Sequence, residues 1–182
     1  MTPHDYFGAG HALLVDGGIQ AVTIANVCAQ LGTTKGSFYH HFRNVEEFHD
    51  RLLDEWFTEH MGRRVAVADA ATDPYERLET LRRFAIDRRH ETEGAIRAWA
   101  RSSPRAAEVQ RRIDNNRIAH LVDVGLALGI DRSRAQVLAE MAVTMVAGSQ
   151  NMCGPVDKAM VARLADEIVA QTLAAIPAER RR

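Results

Sequence analysis

Residues 33–41 read TTKGSFYHH, which sets hydroxyls, a cation and imidazoles close together. Thr33, Thr34, Ser37 and Tyr39 offer hydroxyls, Lys35 a positive charge, and His40 and His41 ring nitrogens. Such groups bond phosphate oxygens and base edges. Gly36 among them has no side chain, so another backbone can approach closely there. The same residue types support no obvious turnover. No Ser/His/Asp order, Gly-rich phosphate loop, HExxH or paired metal ligands occurs. The chemistry expected is therefore recognition, with no cofactor, no metal and no enzymatic activity.

Recognition residues need elements to hold them. Thr23 is a helix N-cap, and Ile24, Val27, Cys28 and Leu31 recur on one face of a helix over 24–31. Gly32 suits the left-handed residue that ends a helix. Thr33-Thr34 offers a second cap, and a short helix follows over 35–42 with Phe38 and Phe42 facing inward. Two short helices about a glycine turn are the helix-turn-helix pattern. A plain αα-hairpin satisfies the same spacing.

The rest of the chain reads as helix. Asp73-Pro74, Ser103-Pro104, Gly154-Pro155 and Asp131 mark helix starts, and Asn44 with Glu47 resembles a capping box. About nine helices are expected, near 3–17, 24–31, 35–42, 45–69, 74–91, 93–102, 104–129, 132–151 and 156–176. The predicted fold is all-α, with a helix-turn-helix domain over 1–46 and a larger helical body over 47–182. Hydrophobic residues are 46% of the 182, an ordinary globular share. With 23 Lys plus Arg against 24 Asp plus Glu, a globally basic nucleic-acid binder is excluded, though a local basic face is not. The segment 137–147 is too short and carries Glu140, so no membrane span is expected. The N-terminus lacks a signal-peptide pattern, and a cytoplasmic location is expected. Cys28 reads as an inert core thiol, and Cys153, at a Gly-Pro loop, as the better redox candidate.

The stretch from Thr23-Ile24 through Ala29-Gln30-Leu31-Gly32, Lys35-Gly36-Ser37-Phe38-Tyr39, His41-Phe42 and Glu46-Glu47-Phe48 resembles the TetR/AcrR family of bacterial transcriptional regulators. The likeness covers about the first 50 residues; the remainder resembles the family in length, helical content and helix order. It implies a homodimeric repressor, released from a pseudo-palindromic double-stranded DNA operator by a small-molecule effector. Carried over by position, Thr23, Thr33, Thr34, Lys35, Gly36, Ser37, Tyr39 and His40 are the DNA contacts. Tyr39 and Thr34 then reach phosphate, and Lys35, Gly36 and Ser37 the bases. The chain also departs from the family. Val45 stands where a lysine is common, and residues 1–50 hold only Lys35 and Arg43 against Asp5, Asp16, Glu46, Glu47 and Asp50. Such a reader should show a shallow salt dependence. A helical ligand sensor or partner-binding module without sequence-specific DNA binding is the alternative.

In the body, Trp56, Phe84, Trp99, Met141 and Met145 are candidate lining for an effector cavity, with His60, His90 and His120 as polar handles. Residues 77–117 carry eleven Arg against Glu79, Asp87, Glu91, Glu93, Glu108 and Asp114. The pairs Glu79/Arg83, Arg89/Glu93, Glu93/Arg97 and Glu108/Arg112 read as a solvated, salt-bridged face. The last two helices carry wide apolar stripes. The resemblance implies that they form the dimer interface, with Leu138, Met145, Val161, Leu164, Ile168 and Thr172 as the contacts.

Overall fold

A computed structural model describes residues 1–69, 72–152 and 154–180, with side chains up to residue 60 and from 72 onward. Cys153 lies outside the described residues. Nine α-helices occur among them: α1 Pro3–Gly17, α2 Ile24–Leu31, α3 Lys35–His41, α4 Val45–Asp69, α5 Pro74–Asp87, α6 His90–Ala100, α7 Pro104–Ala127, α8 Arg132–Ser149 and α9 Lys158–Ala174. Short 3-10 turns add Ile19–Ala21 and Ala178–Arg180, and no strand is found among the described residues. The all-α expectation and the helix order both hold.

Several helix ends differ from expectation by one to four residues, and at α5 and α9 the local reasons are clear. The Arg88 backbone is extended, which stops α5 at Asp87. The His90 amide then bonds the Arg88 carbonyl at 2.9 Å and α6 begins at once. At α9 the cap is Asp157 rather than the Gly154-Pro155 pair. Its carboxylate accepts from the amides of Ala159 and Met160 at 2.9 and 3.1 Å, satisfying two orphan donors of the first turn.

Compact packing divides the chain into two units: residues 1–59 with 91–111, and residues 60–90 with 112–182. The first unit therefore adds α6 and the start of α7 to the helix-turn-helix. Its core is aromatic. Tyr6, Phe7, Phe38, Phe42 and Phe48 are buried, with ring centroids 4.9–6.1 Å apart in mostly edge-to-face or tilted pairs. Gly10 lets α1 lie against α4: a Cβ there would meet Phe48 Cζ at 2.9 Å. Also in this unit, Glu93 is fully buried, bonded by Arg97 at 2.9 Å and by Gln110 Nε2 at 3.2 Å. The Glu93/Arg97 pair is thus an interior one, not part of a solvated face.

The core of the second unit is aliphatic: Leu78, Val122, Val124, Leu128, Ile130, Ala135, Ala139 and Ile176. Two of its arginines pair at i,i+3, Arg82 with Glu79, where Arg83 is the expected partner, and Arg117 with Asp114. Arg111 pairs likewise with Glu108 in the first unit. The i,i+3 step also joins neighbours on one helix face. Arg82 reaches further, to Asp166 on α9 at 2.8 Å.

Candidate nucleic-acid interface and internal cavity

Thr23 Oγ1 caps α2 by accepting the Asn26 amide at 3.2 Å. Gly32 then turns the chain with φ +61°, a conformation open to glycine at no steric cost. The Thr33 amide returns to the Cys28 carbonyl at 2.9 Å, closing the helix end. Thr34 Oγ1 next accepts the Ser37 amide at 3.2 Å and starts α3. The two caps and the glycine fix how α3 leaves α2.

One face of α3 is locked inward by Phe38, which has no exposed surface. The opposite face presents Thr34, Lys35, Gly36, Tyr39 and His40 to solvent, and Tyr39 is 54% exposed. Thr23 is exposed and Thr33 half-buried. Ser37 departs from the expected outward placement. It is half-buried, and its hydroxyl lies 2.8 Å from the Tyr6 hydroxyl of α1. Tyr6 therefore holds the first turn of α3 from within.

Two further residues, both on α4, brace the ends of this motif, and local spacing signals neither. Arg51 of α4 donates to the His41 carbonyl at 3.0 Å, placing a cation at the negative end of α3. Its guanidinium also lies 4.9 Å from the Phe42 ring centroid. His49 sits 2.8 Å from the Val22 carbonyl; a carbonyl only accepts, so His49 Nε2 carries the hydrogen.

Charge at this surface is sparse. Arg43 donates to Glu47 at 2.8 Å, and that contact holds the Glu47 carboxyl below its usual range. Arg51 is engaged as above, and Lys35 makes no ion pair among the described residues. The Cys28 thiol is buried, and burial raises its pKa, so it stays protonated and unreactive.

Residues 8–52 match the family model described as bacterial regulatory proteins, tetR family. This N-terminal domain belongs to the tetR family. Over 81 residues the chain is 32% identical to the HTH-type transcriptional repressor KstR2 of Mycolicibacterium smegmatis, an alignment covering 43% of this chain and 40% of that protein. The tetR-type fold extends along the chain. A transcriptional regulator from Rhodococcus sp. Rha1 superposes with TM-score 0.75 at 18% identity, covering 96% of this chain and 97% of that one. The ketosteroid transcriptional regulator KstR2 of Mycobacterium tuberculosis gives 0.67 at 21% identity, covering 96% and 94%.

The second unit contains a cavity of about 100 Å³. It is lined from α5, α7, α8 and α9, with His60 from α4. Of the expected effector residues it takes in His60, Phe84, His120 and Met145. The other four lie elsewhere. Trp56 is fully buried in the first unit, edge-to-face with the His11 ring at 5.6 Å. Trp99 packs on His49 at 5.6 Å, and Met141 is 40% exposed. Their helical spacing matched a lining stripe, but the faces they occupy point to other neighbours. His90 is buried with both ring nitrogens bonded, to the Ile86 carbonyl at 3.2 Å and to Gln150 Nε2 at 3.3 Å. It is a satisfied core histidine.

The expected dimer contacts also divide. Leu138, Val161 and Thr172 are buried within the single chain. Met145 and Ile168 are half-buried and line the cavity. Leu164 alone of the six is exposed, joined by Val137 and Met141 on α8 and Leu173 on α9. Both stripes were wider than one partner needs, so each helix spends one side inside its own subunit.

Proposed function

We propose that this protein is a tetR-type transcriptional repressor that binds an inverted-repeat DNA operator as a homodimer in the cytoplasm and leaves it when a small molecule enters the cavity. The observation that carries this reading is the exposed face of α3. Thr34, Lys35, Gly36, Tyr39 and His40 project together, while Phe38, the Tyr6–Ser37 bond and Arg51 hold the helix from behind. A rigid short helix with a polar outer face fits a major groove. The exposed residues Val137, Met141, Leu164 and Leu173 favour dimerisation through α8 and α9. In such a dimer the two α3 helices must enter grooves one turn apart, about 34 Å. No helix among the described residues is long and apolar enough to cross a membrane, in keeping with this reading.

Selection of bound duplexes from a random pool tests it, with wild type beside Tyr39→Ala. An enriched inverted repeat, weakened about tenfold or more in the variant, is expected. No enrichment by a folded dimer overturns the reading in favour of a sensor or partner-binding module. Once an operator is in hand, its salt dependence should be shallow. With Lys35 and at most Arg43 contributing from each protomer, the slope of log K against log salt should be about −2 to −4. A slope near −10 would mean that other cations reach the DNA.

A further inference from the structure

The cavity in the second unit has an uneven wall. Thirteen of its nineteen lining residues are apolar, and the other six are His60, Arg82, Arg88, Asn116, Arg117 and His120. Three arginines are thus among the lining residues, while no carboxylate lines the space among the described residues. The carboxylates that pair with two of these arginines stand outside the lining. Glu79 and Asp166 hold Arg82 at 2.8 Å each and are 48% and 61% exposed; Asp114 holds Arg117 at 3.2 Å. His120 donates from Nδ1 to the Asn116 carbonyl at 3.1 Å, which fixes its ring orientation on that wall. With arginines and no carboxylate among its described lining residues, an apolar space of low effective dielectric favours an anion over a cation.

We propose that the cavity takes a short apolar molecule ending in a carboxylate. The chain of such a molecule lies along the aliphatic wall, and its carboxylate accepts hydrogen bonds from the Arg88, Arg117 and Asn116 side. A cation there would meet arginines and no lining carboxylate, and a neutral alcohol would forgo the charge-assisted bonds. The volume limits length. It is somewhat smaller than the ~150 Å³ apolar cavity that holds benzene, so the apolar body has about six carbons. This inference rests on the reading of the cavity as the effector site and adds its ligand class.

The test is calorimetric titration of the full chain, without DNA, by hexanoate, hexan-1-ol and hexylammonium at equal ionic strength. Hexanoate should bind at least tenfold more tightly than hexylammonium and several-fold more tightly than hexan-1-ol. Equal or tighter binding of the alcohol or the ammonium overturns the proposal, as does no binding of any probe at about 10 mM, some hundredfold weaker than a 0.1 mM site. Ala142→Leu fills the space and should abolish hexanoate binding; survival of binding in the folded variant places the site elsewhere and overturns it. Arg88→Met should remove the preference for the anion and keep hexan-1-ol binding, while Arg88→Lys retains the preference. Should Arg88→Met fail to fold, Asn116→Leu is the second variant, expected to weaken hexanoate but not hexan-1-ol. Operator release is measured separately. Hexanoate binding without release leaves the ligand class standing and removes the effector reading; release by hexan-1-ol alone does the reverse.

Discussion

The two units solve opposite packing problems. Around α3, five aromatic side chains from α1, α3, α4 and the residue after α3 close on one another with centroids 4.9–6.1 Å apart. Between α5, α7, α8 and α9 the packing leaves a space of about 100 Å³. Large planar rings joined at their edges hold a helix in one pose. Aliphatic and methionine side chains around a space have more rotamers to choose from and can rearrange about a guest. The contrast suits the two tasks proposed for the chain: DNA reading needs a fixed helix, and ligand sensing needs a surface that repacks.

Truncation should expose the contrast most strongly. Phe38→Ala removes a side chain with no exposed surface from the centre of the aromatic cluster. It should cost about 3–5 kcal/mol in denaturant unfolding. Met145→Ala, at the half-buried cavity wall, enlarges a space that already exists. Its cost should be about 1–2 kcal/mol, below the usual range for a filled core. Equal losses at the two sites would break the comparison, because they would mean that the cavity wall is packed as tightly as the cluster.

A smaller effect sharpens the account of the first unit. Arg43 bonds hold the Glu47 carboxyl below its usual range, so the folded pKa is the lower one. The stabilisation is then fully present above the unfolded carboxylate range, near pH 4, and is lost as pH falls through the folded value. Glu47→Gln should therefore flatten the acid limb of the stability–pH curve slightly and leave neutral-pH unfolding almost unchanged. A large loss at pH 7 would show that Glu47 does more than cap the turn before α4.

Much of the reading unit was legible because its determinants are close together in sequence. Thr23, Gly32 and Thr34 act on amides and carbonyls within five residues of themselves, and Phe38 and Phe42 repeat on one face. The exposed set Thr34, Lys35, Gly36, Tyr39 and His40 followed from that phase. Ser37 did not, because what turns it inward is Tyr6, thirty-one residues away. The role of Arg51 is hidden for the same reason: no local pattern links a lysine-poor helix end to a guanidinium on the next helix. The expected effector residues are less legible. Trp56 and Trp99 are aromatic and apolar-faced like true lining residues, and a single chain's periodicity does not say which neighbour a face meets.

What the residues determined alone was the list of helices, their caps, the outward face of α3 and the acidic balance around it. Each depends on bonds or repeats spanning a few residues. The tertiary structure decided which stripes are used inside the subunit and which remain exposed: Leu138 and Val161 inside, Val137 and Leu164 out. It also decided where packing fails to fill space, and that arginines border the space while their carboxylates stand back from it. Those outcomes depend on side chains brought together from distant segments, and a one-dimensional pattern carries no information about the distance between them.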